Sequence, residues 1–233
     1  MTARLAAPLA SKHTVTEVFF MGWNEKKKEL GKKVARALFE CEAIKFGDFT
    51  LTSGKKSPYY IDLRAVPSYP AQFDVITDAY AELIKNESSG KCTLVGVPSA
   101  GIPFASVAGY KAKLPVAYVR KEALDGEKRE HGTGKEIEGV IRPDMPPVLV
   151  DDLISTGGSN LKAKTAMERN GYKISDAFLL VDREMGGVAA LAKEGLNVHY
   201  ITGVLDIVSY LESEKLLSSD LAGKVREFTG ASK

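Results

Sequence analysis

The sequence predicts an α/β protein: a parallel sheet flanked by helices. Three observations carry this. Short, nearly all-apolar runs recur along the chain, helix-like stretches separate them, and the turn after the run at 147–153 is built of Ser, Thr and Gly. Strands buried on both faces read as unbroken apolar runs, and their alternation with helices gives a parallel sheet covered on both sides. At 233 residues, 44% hydrophobic and 27% charged, the chain is long enough to bury its own core.

The elements follow in order. From Asn24, an N-cap candidate, Leu30, Val34, Ala37, Leu38, Cys41 and Ile44 recur at three- and four-residue intervals and predict one surface helix. Residues 46–64 hold β-branched and aromatic side chains around a Ser-Gly turn and a Pro, which predicts a hairpin-like hood or edge. Next come a helix near 71–86, a strand at 93–97, a helix near 102–110 and a strand at 115–119. A charged loop at 120–136 precedes a strand at 147–153, a helix near 159–170, a strand at 177–182, a helix near 188–194, a strand at 197–203 and amphipathic C-terminal turns. The reading is a single domain over 23–233, its hood supplied by about 23–65. Residues 1–22 form an extension free to be flexible, since Pro8 breaks the short apolar stretch a targeting segment would need.

Charge and cysteine usage limit the partners. Thirty-two Lys and Arg against 30 Asp and Glu give +2, too little for a global field that would hold nucleic acid or an anionic membrane. No window has the roughly 18 apolar residues of a membrane helix. Cys41 and Cys92 stand apart without a CxxC, and His13, His131 and His199 are scattered, so no structural zinc spacing can be drawn. Reduced, packed thiols suit a cytoplasmic protein.

In a parallel sheet the ligand crevice lies beyond the carboxyl ends of the strands. There the stretch Val148-Leu149-Val150-Asp151-Asp152-Leu153-Ile154-Ser155-Thr156-Gly157-Gly158-Ser159 ends a buried strand in two acids and opens a helix through a Gly/Ser/Thr turn. Successive amides from Ser155 to Ser159 can form an anion nest at a helix N-terminus, and the hydroxyls add donors. Asp151 and Asp152 repel phosphate but suit ribose hydroxyls or a developing oxocarbenium charge. The stretch at 131–136 is no P-loop, because Arg129 stands at the first required glycine and Glu136 replaces Ser or Thr. No GxGxxG follows a strand. The loop at 120–136 carries five basic and five acidic side chains with only Ala123 and Leu124 to bury, which predicts a lid able to close over a diphosphate.

The segment VLVDDLISTGGS resembles the phosphoribosyl-diphosphate (PRPP) binding motif of type I phosphoribosyltransferases. Together with FGDFTLTSGKKSPYYIDLR, GVPSAGIP, Arg120-Lys121-Glu122, His131-Gly132 and VDREMGG, it makes residues 24 to 228 similar to orotate phosphoribosyltransferases. The resemblance implies the type I phosphoribosyltransferase-like fold and the conversion of orotate and PRPP to orotidine 5′-monophosphate and diphosphate. It also implies magnesium held mainly by PRPP and water, and a homodimer whose lid reaches the neighbouring subunit's site. By position it implies diphosphate roles for Arg120, Lys121 and His131, the last as proton donor or simple ligand. The loop lysine's place falls on Arg129, with Lys128 adjacent. The turn from Asp151 to Ser159, Leu153 and Ile154 included, would bind PRPP, with Lys121, Arg129, His131, Asp151 and Asp152 serving catalysis. Orotate would meet Tyr60, Ile61, Ser155 and Arg183, Ser155 standing where threonine is more usual. Arginine's fork suits a planar carboxylate, while Tyr60 either lies over a pyrimidine or packs on the hairpin. Thr52 and Ala100 stand where many bacterial members carry lysine, which implies altered PRPP affinity. The length leaves no room for the decarboxylase domain fused to this activity in some organisms. The rival readings are a PRPP-binding regulator without catalysis and a purine or uracil phosphoribosyltransferase.

Overall fold

The computed structural model describes residues 22–50, 54–88, 90–126 and 135–230. The extension at 1–21, Thr52, Lys128, Arg129 and His131 lie outside the described residues. Among the described residues no helix is long and apolar enough to cross a membrane.

Six strands form the main sheet in the order β5-β4-β3-β6-β7-β8. They are β3 (Thr93–Gly96), β4 (Val116–Val119), β5 (Ile137–Glu138), β6 (Pro147–Ile154), β7 (Asp176–Asp182) and β8 (Asn197–Gly203). All neighbours run parallel except β5, an antiparallel edge paired to β4 through Tyr118↔Glu138 and Val119↔Ile137. Period-two alternation within the strands feeds two cores. Val148 and Val150 join α1 (Trp23–Glu40), α2 (Pro70–Glu87), α3 (Gly101–Ala112) and α7 (Val204–Ser213) through Val34, Ile76, Phe104 and Ile207. Leu149 joins α5 (Gly158–Arg169) and α6 (Gly187–Lys193) on the opposite face through Ala163, Met167 and Leu191. The strand order reverses between β3 and β6, so the loops after these two strands flank the crevice.

The hood is a two-stranded antiparallel hairpin of β1 (Ile44–Thr50) and β2 (Lys56–Ile61), followed by a 3-10 helix at Leu63–Ser68. It packs on α8 (Ser219–Thr229), where Phe228 meets the buried Tyr59 ring edge-on at 5.9 Å. At the far end of the sheet from the crevice, His199 stacks on Phe178 and lies 2.9 Å from both Glu87 and Asp176. Trp23 and Lys27 donate to the same Glu87, tying α1 and α2 to the sheet.

Four details depart from the sequence reading. The first helix starts at Trp23 after Gly22 and ends at Glu40. Glu42 turns left-handed and the Ala43 N–H reaches back to the Leu38 carbonyl, so Ile44 opens β1 instead of extending the helix stripe. The C-terminal turns are two full helices, α7 and α8. The charged segment at 120–136 is structured at both of its ends, where the charge pattern predicted one continuous loop. Residues Lys121–Leu124 form a one-turn helix, α4, whose Ala123 is 2% exposed, and the Arg120 N–H closes on the Glu136 carbonyl at 2.9 Å. Ala123 and the partly buried Leu124 dock this single turn on the α5 face of the sheet.

The sheet also dictates where glycine is needed. A Cβ on Gly101 would stand 2.5 Å from the Val150 carbonyl oxygen and 2.9 Å from the Asp151 Cα, so only glycine lets α3 start against the end of β6. Gly101→Ala is therefore expected to destabilise the fold by about 1–3 kcal/mol, the range for overpacking. Gly223→Ala, in α8 with open space around it, should hold or gain stability. Paired thermal or urea melts check this; equal melting of the two variants would contradict it.

Candidate active site

The carboxyl ends of β3 and β6 open on a cleft of about 580 Å³. Its walls are the turn from Asp151 to Asn160, the Pro98–Ser99–Ala100 turn, Arg64, Lys121 and the Asp125–Lys162 pair. The turn that the sequence reading expects to seat a phosphate lies at the start of α5. Gly157, the N-cap, takes a left-handed conformation, φ 84° and ψ 0°, and gives the helix no side-chain cap among the described residues. The first amides of α5 thus face the cleft with the positive end of the helix dipole behind them. Ser155, Thr156 and Ser159 add hydroxyls, whereas Ile154 is buried and contributes main chain only. On the other side of the turn, a Cβ on Gly187 would fall 2.6 Å from the Ser155 carbonyl oxygen, so α6 buttresses the cradle directly.

The two acids differ. Asp151 is 5% exposed; its Oδ1 accepts the Asp152 N–H at 2.9 Å and its Oδ2 accepts Asn160 Nδ2–H at 3.1 Å. The buried Tyr80 hydroxyl donates to the main-chain oxygens of Asp151 and Phe178, locking the strand end from below. Asp152 is half-buried on the cleft wall, its Oδ1 accepting the Leu153 N–H at 2.8 Å. Loss of water pushes both carboxyls above the usual carboxylate range. For Asp151 the neighbouring Asp152 adds to the effect, and for Asp152 Asp62 does. Arg64 lies in the same cleft, gripped by Asp62 through two bonds of 2.7 Å.

Of the residues singled out from sequence, the structure gathers Lys121 and the whole Asp151–Ser159 turn around one cleft. Arg120 turns instead to Glu138 on the edge strand. Tyr60 is 37% exposed on the hairpin and tilted against Phe49, while the Ile61 side chain enters the core. Arg183 follows β7, its N–H donating to the Ile154 carbonyl at 2.9 Å and its guanidinium lying 5.3 Å from the Tyr59 ring centre. Its Nε and Nη2 are buried without a hydrogen-bond partner among the described residues. Sequence reasoning missed Arg64, Lys162 and Asn160. Arg64 was legible as a lone cation two places after the Asp that closes the hairpin segment; Asn160 gave no signal before its burial was visible.

The model of the phosphoribosyl transferase domain matches residues 65–201. An orotate phosphoribosyltransferase of Methanopyrus kandleri is 38% identical over 183 residues, covering 78% of this chain and 94% of that protein. The chain belongs to the orotate phosphoribosyltransferase family. Among solved structures, Leishmania donovani UMP synthase aligns with a TM-score of 0.76 at 30% identity, over 88% of this chain and 43% of that one. The orotate phosphoribosyltransferase of Aeropyrum pernix aligns with a TM-score of 0.64 at 28% identity, over 77% and 99% respectively. The sheet order, the hood and the crevice at the β3/β6 reversal are thus an orotate phosphoribosyltransferase framework.

The raised Asp152 carboxyl has a stability consequence. An acid whose folded-state pKa lies above its unfolded value of about 3.9 costs stability once pH rises past that unfolded value. Asp152→Asn should therefore raise Tm at pH 7.5, by about 2–4 °C for each kcal/mol relieved in a chain of this size. The gain should shrink as pH falls from the raised folded value towards about 3.9, below which both folded and unfolded wild type bind the proton. Calorimetry across pH 4–8 checks this; a variant less stable at pH 7.5 would contradict it.

Proposed function

We propose that this chain transfers the 5-phosphoribosyl group of PRPP to orotate, giving orotidine 5′-monophosphate and diphosphate in pyrimidine synthesis. The observation that carries the reading is the uncapped α5 start and Asp152 facing one cleft, with Lys121 and Arg64 on its far wall. The 5′-phosphate lies on the amides of the Ser155–Ser159 turn. The bond from C1 of the ribose to the diphosphate oxygen breaks, its electron pair leaves with diphosphate, and a ring nitrogen of orotate forms the new bond to C1. Negative charge then grows on the diphosphate side and positive charge on the sugar. Lys121 and Arg64 answer the first and the Asp152 carboxylate the second, each fixed before reaction. Where relatives carry lysine, the Pro98–Ala100 turn offers main chain and Ser99 to the diphosphate.

Arg183 suits the base. Two buried N–H groups without partners are costly, and a planar carboxylate such as that of orotate would satisfy both. Magnesium, when bound, would be held mainly by diphosphate oxygens and water and would neutralise the leaving charge. The functional unit we infer is a homodimer in which the segment after α4 closes over the partner's cleft. Two buried free cysteines suit the reducing cytoplasm.

Incubation with PRPP, magnesium and a panel of orotate, uracil, adenine, guanine and hypoxanthine tests the reaction. Only orotate should be consumed, with release of diphosphate; consumption of uracil or a purine instead would overturn the reading. Arg183→Ala should raise KM for orotate by about 10- to 150-fold, the equivalent of a charged hydrogen bond of about 1.5–3 kcal/mol, and shift KM for PRPP far less. For the shared segment after α4, Arg129→Ala and Asp152→Ala subunits are co-refolded. Hybrids should regain part of the lost activity, and hybrids as inactive as either parent would show that each site is completed within one chain.

A further inference from the structure

Asn160, the third residue of α5, is 2% exposed and belongs to none of the groups assigned to substrate above. Its Nδ2–H donates to Asp151 Oδ2, while its Oδ1 is buried with no hydrogen-bond partner among the described residues. An apolar side chain of the same shape would avoid that orphaned acceptor, so the position is explained by its donor end. Turning the amide over would set Oδ1 against a carboxylate oxygen, which fixes its orientation while Asp151 is ionised.

The consequence is a division of labour between the paired acids. Both oxygens of Asp151 are engaged by protein N–H groups, from Asp152 and from Asn160, and the residue is nearly sealed. Asp152 keeps a face on the cleft. Asp151 therefore bridges the end of β6 to the first turn of α5, whose free amides make the phosphate cradle. Gly101 and Tyr80 close the same carboxyl end from behind, leaving the Asn160 bond as the link that reaches forward into α5.

We propose that Asn160 is a positioning residue for PRPP: through Asp151 it sets the start of α5, and with it the phosphate cradle, relative to Asp152 on the cleft wall. This rests on the phosphoribosyl-transfer reading. The two donors also oppose the effect of burial on Asp151, holding its carboxyl lower than it would otherwise stand.

The test is a cycle of variants assayed for kcat and for KM of each substrate, with Tm measured alongside. Asn160→Leu keeps the volume and removes the donor. It should lower kcat/KM for PRPP by about 10- to 100-fold, the scale of a small misplacement of reacting groups, with KM for orotate within about twofold. The double variant Asp151→Asn with Asn160→Asp reverses the pair. Its new Asn donates to its new Asp and still accepts the Asp152 N–H, so it should recover most of the loss. Recovery also holds the proposal if Asn160→Leu alone folds poorly, since the swap restores the bridge. PRPP kinetics unchanged in folded Asn160→Leu, or a swap no better than Asn160→Leu, would overturn it. Wild type that consumes no orotate with PRPP would instead overturn the parent reading, a result visible before any variant is made.

Discussion

Two adjacent carboxylates held out of water at the end of β6 constrain everything around them. Removing a carboxylate from solvent is expensive unless hydrogen-bond donors replace the water. The fold supplies these donors from two directions: the next main-chain N–H groups along the strand and the Asn160 amide from α5. Each donor also fixes a piece of architecture. The Asn160 bond places the first turn of α5, and the missing side chain of Gly101 lets α3 close on the strand from the other face. The energetic burden and the geometry of the cleft are thus one arrangement.

The opposite end of the sheet obeys a different logic. There Glu87 and Asp176 are half-buried acids that their donors hold below the usual carboxylate range despite burial. Their partners, Trp23, Lys27, His199 and Ser175, are polar side chains from several elements, and the result is a brace. One end of the sheet therefore gains stability from ionised carboxylates, while the crevice end loses some and carries the chemistry, as expected where function and stability compete.

Much of this was legible in the sequence because it is written in local patterns. The apolar runs at 93–97, 147–153 and 177–182 each became strands of the main sheet, since strands buried on both faces leave little room for another residue type. The turn from Asp151 to Ser159 was legible for a related reason: a left-handed glycine, free amides and hydroxyls are demands of a phosphate that few other tasks make together. What was not legible depends on contacts across the chain. Arg64 carried a local signal in Asp62 two places before it, but its place in the cleft depends on where the hairpin packs, and α4 rests on Ala123 and Leu124 packing into the core on the α5 face of the sheet. Asn160 looked like any helical polar residue until its burial against Asp151 was seen, and Arg183's unpaired nitrogens are a property of its surroundings.

The central claim is that the turn after β6 is a phosphate seat with a sugar-facing acid beside it. A crystal structure of the protein with PRPP and magnesium measures this directly. The account predicts the 5′-phosphate oxygens within about 2.7–3.2 Å of the main-chain nitrogens of the Ser155–Ser159 turn, the ribose hydroxyls at Asp152, and Asp151 still bonded to Asn160. A 5′-phosphate bound elsewhere, with the start of α5 closed by protein side chains, would contradict it.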